Sequence, residues 1–121
     1  TDHAPHTAAE KAGGLRDSLN GVVGLETAFA VLYTGLVLPG ALRVGQLLTR
    51  MCTAPRRRFA LGGGQLRVGL EADLTVFDPN RAQTVDSARF LSKGRATPFE
   101  GRPVCGEFRF TYWKGSVAYL G

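Results

Sequence analysis

Cysteine is scarce in this 121-residue chain: Cys52 and Cys105 are the only two, 53 positions apart. No Cys-X-X-Cys pair exists, so neither a disulfide scaffold nor a cysteine-built zinc site is encoded, and both are expected as reduced thiols of a cytoplasmic protein. Long apolar runs are missing too. The most apolar stretch, Ala28 to Leu42, holds 15 residues and is interrupted by Thr34, Gly35, Pro39 and Gly40, too short to span a membrane. No basic-plus-apolar leader is visible ahead of Thr1, so no signal peptide is expected. Sixteen glycines show no Gly-X-Y period, which excludes a collagen-like fibre. Acidic residues are the minority, 10 against 15 basic, for a formal charge of +5. Twelve of the basic residues are arginine. Their densest run, Arg56-Arg57-Arg58, has no interleaved aromatics and reads as a solvated face, so no nucleic-acid partner is expected.

What is present fits one ordinary globular domain: 44% apolar and 21% charged residues leave enough apolar surface for a core. The pattern changes near Gly62-Gly63-Gly64. Ahead of it, Leu25, Phe29, Leu32 and Leu36 mark one face of a helix from about Gly24 to Leu38, stopped by Pro39-Gly40. A second helix is expected over about Val44 to Cys52, with Leu47, Leu48 and Met51 facing inward. Thr53-Ala54-Pro55 reads as a cap opening a third helix to Ala60. After the glycines the period becomes two. Gln65–Val68 and Asp73–Asp78 read as paired strands around Gly69–Ala72, and Phe108–Trp113 with Ser116–Leu120 as a hairpin around Lys114-Gly115. Asn80 to Gly101 reads as a long connection with weak local structure.

The polar cluster Thr1-Asp2-His3-Ala4-Pro5-His6 packs three proton-handling or metal-ligating side chains into six positions. Carboxylate and imidazole suit zinc, but a catalytic zinc usually needs three or more protein ligands, and no further histidine exists. The plainer alternative is a polar tail. Such a cluster following a barrel strand, ahead of a loop and a helix, is where barrel enzymes keep their chemistry. The other clusters read as structural. Gly62–Gly64 lacks a following Lys-Ser/Thr and is a flexible turn, not a phosphate loop. Glu71 and Asp73 sit in a solvated turn, and Ser18, Ser87, Ser92 and Ser116 have no nucleophile elbow. Tyr112-Trp113 reads as hairpin core.

Thr-Asp-His-Ala-Pro-His at 1–6, Gly-Val-Val-Gly-Leu-Glu-Thr-Ala-Phe at 21–29, Gly-Leu-Glu-Ala-Asp-Leu-Thr-Val-Phe-Asp at 69–78 and Thr-Pro-Phe-Glu-Gly at 97–101 resemble the C-terminal third of class I dihydroorotases, in the cyclic amidohydrolase superfamily. The later two segments are shared with hydantoinase- and allantoinase-like relatives. His6 separates them, since those relatives usually carry Phe or Cys there. Phe29-Ala30 departs from a frequent Phe-Pro.

The resemblance implies an α/β fold: a (β/α)8 metal-dependent-hydrolase barrel plus a small composite β-sandwich domain. Residues 1–61 would end the barrel, with the tip of its eighth strand, the active-site loop and C-terminal helices. Residues 62–121 would belong to the β domain, with the long connection at 79–103. The implied reaction is the reversible hydrolysis of L-dihydroorotate to N-carbamoyl-L-aspartate in pyrimidine synthesis. One or two zinc ions would polarise the amide carbonyl and supply hydroxide. Asp2 falls on the aspartate that ligates metal and shuttles the proton. His6 falls on the histidine that binds the substrate carboxylate, and Asn20 and Gly21 on the loop whose backbone meets the substrate ring. The remaining metal ligands would lie outside this chain. The implied partners are therefore the small-molecule substrate, the N-terminal portion of the same enzyme, and a homo-oligomer or an aspartate transcarbamoylase complex, with no membrane. Alone, the chain is expected to be inactive. Two alternatives remain: a non-catalytic dihydroorotase-like scaffold for aspartate transcarbamoylase, against which Asp2 and His6 speak, and a hydantoinase-type enzyme, against which His6 speaks.

Overall fold

The fold is taken from a computed structural model that describes residues 1–121. Helix α1 (Gly14–Asp17) is a single turn inside the N-terminal loop. The Phe29 stripe forms α2 (Ala28–Leu32), which continues without a break through a π-helical turn, Tyr33–Val37. Gly40, at φ +82, then ends the element, its N–H donating to Val37 O. The regular helix starts at Ala28 and not at Gly24: residues 25–27 form a turn closed by Ala28 N–H to Gly24 O, His3 Nδ1 accepts from the Gly24 and Leu25 N–H groups, and Leu25 is 63% exposed. Helices α3 (Val44–Leu48) and α4 (Ala54–Arg58) are joined by another π-helical turn, Thr49–Thr53. Thr53 therefore has helical angles and makes no side-chain cap, so the expected cap is corrected to a continuous helix in which Pro55, with no N–H to give, comes just after the π-helical turn. Leu47 is buried and Met51 half-buried, but Leu48 points to solvent.

Three antiparallel strands form one sheet in the order β1 (Leu74–Thr84), β2 (Pro103–Trp113), β3 (Ser116–Leu120). Lys114 (φ +52) and Gly115 (φ +77) close the β2–β3 turn as the sequence predicts. Two expectations fail here. Gln65–Val68 makes no strand: Leu66 and Val68 stand fully in solvent, because β1 takes β2 as its partner and nothing pairs with 65–68. Strand β1 also runs on past Pro79, through the expected connection, to Thr84. It does so by a bulge between Asp78 and Ala82 that lifts Pro79, which has no N–H to give, out of the ladder.

Ten residues are buried, six of them in two small clusters. Phe29, Tyr33 and Leu47 pack on Phe77, Cys105 and Phe108. The Phe29 ring lies 4.6 Å from Phe77 and 5.2 Å from Phe108. Ala30, Val85 and Val104 form the second cluster, flanked by Phe90 and Phe99. Gly106 lies beneath the Phe29 and Tyr33 rings at φ +96, a backbone conformation that favours glycine.

Candidate functional site

The N-terminal loop is fixed to the helical layer at its root. His3 pairs in parallel with Val22, Ala4 N–H donates to Val22 O at 2.9 Å, and His3 Nδ1 accepts from Gly24 N–H at 3.1 Å. Nδ1 is therefore the lone-pair nitrogen of His3 and Nε2 carries the proton. The segment 91–96 props the loop from behind. Val23 N–H donates to Ala96 O, Glu26 accepts from the Leu91 and Ser92 N–H groups, and Gly94 lies so close to Pro5 that a Cβ would sit 2.7 Å from Pro5 Cβ.

His6 is half-buried, and its Nε2–H donates to Asn20 O at 2.8 Å, which brings together three residues the sequence singles out: His6, Asn20 and Gly21. Gly21 adopts φ +123, and a Cβ there would lie 2.6 Å from Ala4 Cβ and 3.2 Å from His6 Nε2. Only glycine admits this approach. On the other side, His6 Nδ1 faces Glu10 Oε2 at 3.8 Å. Glu10 Oε2 accepts from Thr7 N–H at 2.7 Å and Thr7 Oγ1 at 2.8 Å, while Thr7 Oγ1 accepts from Glu10 N–H. These bonds hold the Glu10 carboxyl below its usual range, the Thr7 backbone N–H contributing most. Desolvation opposes the shift and His6 adds to it. Glu10 escaped the sequence reading although its signal was there: Thr7-Ala-Ala-Glu10 is a capping-box pattern. Lys11 escaped it as well, and its Nζ donates to Leu19 O at 2.7 Å and Gly21 O at 3.0 Å.

Asp2 stands exposed at the loop's start with φ +46. Two other non-glycine residues share a positive φ, Ala60 after α4 and Lys114 in the hairpin, where turn geometry asks for it. The Asp2, His3 and His6 cluster does not assemble into a metal centre. No group of three His, Cys, Asp or Glu side chains converges, His3 Nδ1 is taken by backbone N–H groups and His6 Nε2 by a carbonyl. One carboxylate is too few for zinc, so the donor set within this chain does not fit the metal by itself.

The remaining candidates take structural roles. Asp73 Oδ1 accepts from Lys114 N–H and pins the hairpin turn. Ser18 Oγ donates to Lys11 O, and Ser92 Oγ accepts from Gly94 N–H. Gly63 and Gly64 both lie at φ +78 beneath Arg56, whose guanidinium donates to Gly62 O. Tyr112 packs edge-on to Phe110, but Trp113 is 61% exposed and lies under Lys114 Nζ, so the hairpin-core expectation holds for Tyr112 and fails for Trp113. No helix is long and apolar enough to cross a membrane.

No model of a known protein family matches the chain. Individual proteins do. The chain is 49% identical over 120 residues to a dihydroorotase of Latilactobacillus sakei, 46% to one of Lactiplantibacillus plantarum and 45% to one of Shouchella clausii. Each match takes in 98% of this chain and 28% of the relative. Among solved structures, a dihydropyrimidinase of Brevibacillus agri superposes with a TM-score of 0.89 at 25% identity, over 99% of this chain and 27% of that one. An L-hydantoinase of Arthrobacter aurescens superposes with a TM-score of 0.79 at 34% identity, over 86% of this chain and 24% of that one. The chain is thus similar in sequence to dihydroorotases over nearly its whole length, and it spans 28% of the length of the curated relatives it matches.

Proposed function

We propose that this chain carries the Asp2–His6 loop of a dihydroorotase, the enzyme that interconverts L-dihydroorotate and N-carbamoyl-L-aspartate. The observation that carries the reading is its identity to dihydroorotases, 45–49% over nearly its whole length, against 25–34% to the hydantoinase-type structures. In this reading residues 1–61 complete a (β/α)8 barrel and 62–121 belong to a β domain. The zinc ligands other than Asp2 come from polypeptide outside this chain. So does the cover for Leu15, Leu66, Val68 and Leu91, which are 82–106% exposed here.

The residues present divide the work. Asp2 takes a proton at its carboxylate and returns it to the leaving nitrogen. Its left-handed backbone is the kind of local strain that collects at reactive positions. His6 grips the substrate's free carboxylate. With Nε2–H spent on Asn20 O, the nitrogen left for that grip is Nδ1, which faces Glu10 and can donate to a carboxylate only when it too carries a proton. Gly21 presents bare backbone to the ring.

The test compares the chain alone with the chain joined to an upstream portion. Alone, it should bind no stoichiometric zinc and turn over no dihydroorotate. Joined, it should be active, and Asp2→Asn should lower kcat on the order of 10²-fold or more, the scale of losing a general acid–base. Turnover with stoichiometric zinc by the lone chain, or wild-type kcat in the Asn variant, would refute the assignment.

A further inference from the structure

Lys11 has no place in the chemistry above, yet its half-buried ammonium is committed to two backbone carbonyls, Leu19 O at 2.7 Å and Gly21 O at 3.0 Å. These two residues flank Asn20, whose own carbonyl receives His6 Nε2–H. The same short region is tied twice more: Leu19 N–H donates to Glu10 O at 3.1 Å, and Ser18 Oγ donates to Lys11 O at 2.9 Å. A lysine ammonium offers three donors and no acceptor, so it gathers carbonyls from a chain that would otherwise spread them to water. Residues 18–21 lie in no helix or strand, and no regular ladder fixes their carbonyls. The side chain of Lys11 replaces that ladder.

We propose that Lys11 is a positioning residue: it sets the Leu19–Gly21 segment, and through the Asn20 carbonyl the orientation of the His6 ring and the proton on its Nε2, without touching substrate. Its consequence for substrate rests on the dihydroorotase reading; the loop geometry does not. Removing the ammonium leaves the Leu19 and Gly21 carbonyls to solvent and lets the Asn20 carbonyl drift from His6 Nε2. The imidazole then loses its fixed orientation toward a substrate carboxylate. The expected signature is a loss of affinity with the chemical step retained.

Two variants and two readouts test this. In the chain joined to its upstream portion, Lys11→Met should raise KM for dihydroorotate on the order of tenfold, the worth of one charge-assisted hydrogen bond, with kcat within about threefold. Lys11→Gln, which can still reach one carbonyl, should fall between, and it carries the test if the Met variant does not fold. In the 121-residue chain itself, nitrogen NMR of the His6 ring should show Nε2 held as a protonated, hydrogen-bonded nitrogen in the wild type and an averaged ring in Lys11→Met. A lower melting temperature with unchanged KM and unchanged His6 signals would make Lys11 a merely structural tie and overturn the proposal. If the joined wild-type protein does not turn over dihydroorotate while the His6 signals still depend on Lys11, the functional reading falls and the positioning role stands.

Discussion

Gly21→Ala places one methyl group where the site is tightest, and the structure gives two separate costs. The first is backbone: φ +123 is a glycine conformation, and a side chain there costs about 1–3 kcal/mol. The second is contact: the new Cβ would lie 2.6 Å from Ala4 Cβ and 3.0 Å from Ala4 O, neither the far end of a flexible side chain. Relieving such overpacking costs about 1–3 kcal/mol more. The total, on the order of 2–6 kcal/mol, is a large share of the ~5–15 kcal/mol that holds a typical domain. This chain, with ten buried residues among 121, should sit at the low end. Gly40→Ala is the control, since φ +82 has nothing within 4 Å of its would-be Cβ and leaves a backbone cost of about 1–2 kcal/mol alone. Urea unfolding followed by circular dichroism should therefore rank wild type above Gly40→Ala and Gly40→Ala above Gly21→Ala. His6 Nε2, 3.2 Å from the new methyl, should lose its bond to Asn20 O. Equal stability of the two alanine variants, with an unmoved His6 ring, would refute the reasoning.

Two further outcomes follow from the same packing and hydrogen bonds. Phe29→Ala empties the centre of the aromatic cluster and should destabilise the chain by about 3–5 kcal/mol, read as a shift in denaturation midpoint at constant slope. Glu10→Gln should reveal a pH-dependent contribution. The Glu10 carboxyl titrates below its reference of 4.5 in the folded chain, so its stabilisation is present above that value and is lost as pH falls through the lower folded value. The stability gap between wild type and Glu10→Gln should therefore be largest near neutrality and close in acid, and a gap that does not vary with pH would contradict it.

Local rules made part of this fold readable. Lys114-Gly115 demands a tight turn whatever surrounds it, and β3 falls where the alternation put it. The helical stripe through Phe29 and Leu32 was legible because its period is local. Gln65–Val68 has the composition of a strand, but a strand needs a neighbour, and sequence does not say which segment β1 will choose. The strand expected over Asp73–Asp78 falls short of the observed one because proline gives no N–H to a paired ladder. A bulge opposite Glu107 and Cys105 accommodates it. At the site, His6, Asn20 and Gly21 were found through resemblance to a family, and the structure shows them in contact. Lys11 was invisible for a different reason. Its partners are main-chain carbonyls eight and ten residues away, and main-chain atoms leave no mark on residue identity.

The Thr34 hydroxyl reaches across 71 residues: Cys105 N–H donates to it at 2.8 Å, and it donates in turn to Cys105 O. Both apolar clusters straddle the same gap, joining residues 29–47 to 77–108 in one case and 30–31 to 85–104 in the other. Within this chain neither side of that gap owns a core of its own. During synthesis α2 and the π-helical turn after it must therefore wait, without the partners of Phe29 and Tyr33, until β2 has left the ribosome. Closing contacts that distant is slow, and the waiting state is the one exposed to proteases and to sticking. A chaperone acting on this chain would meet it before residue 105 arrives, and the pace of translation through residues 50–105 would set how long that interval lasts.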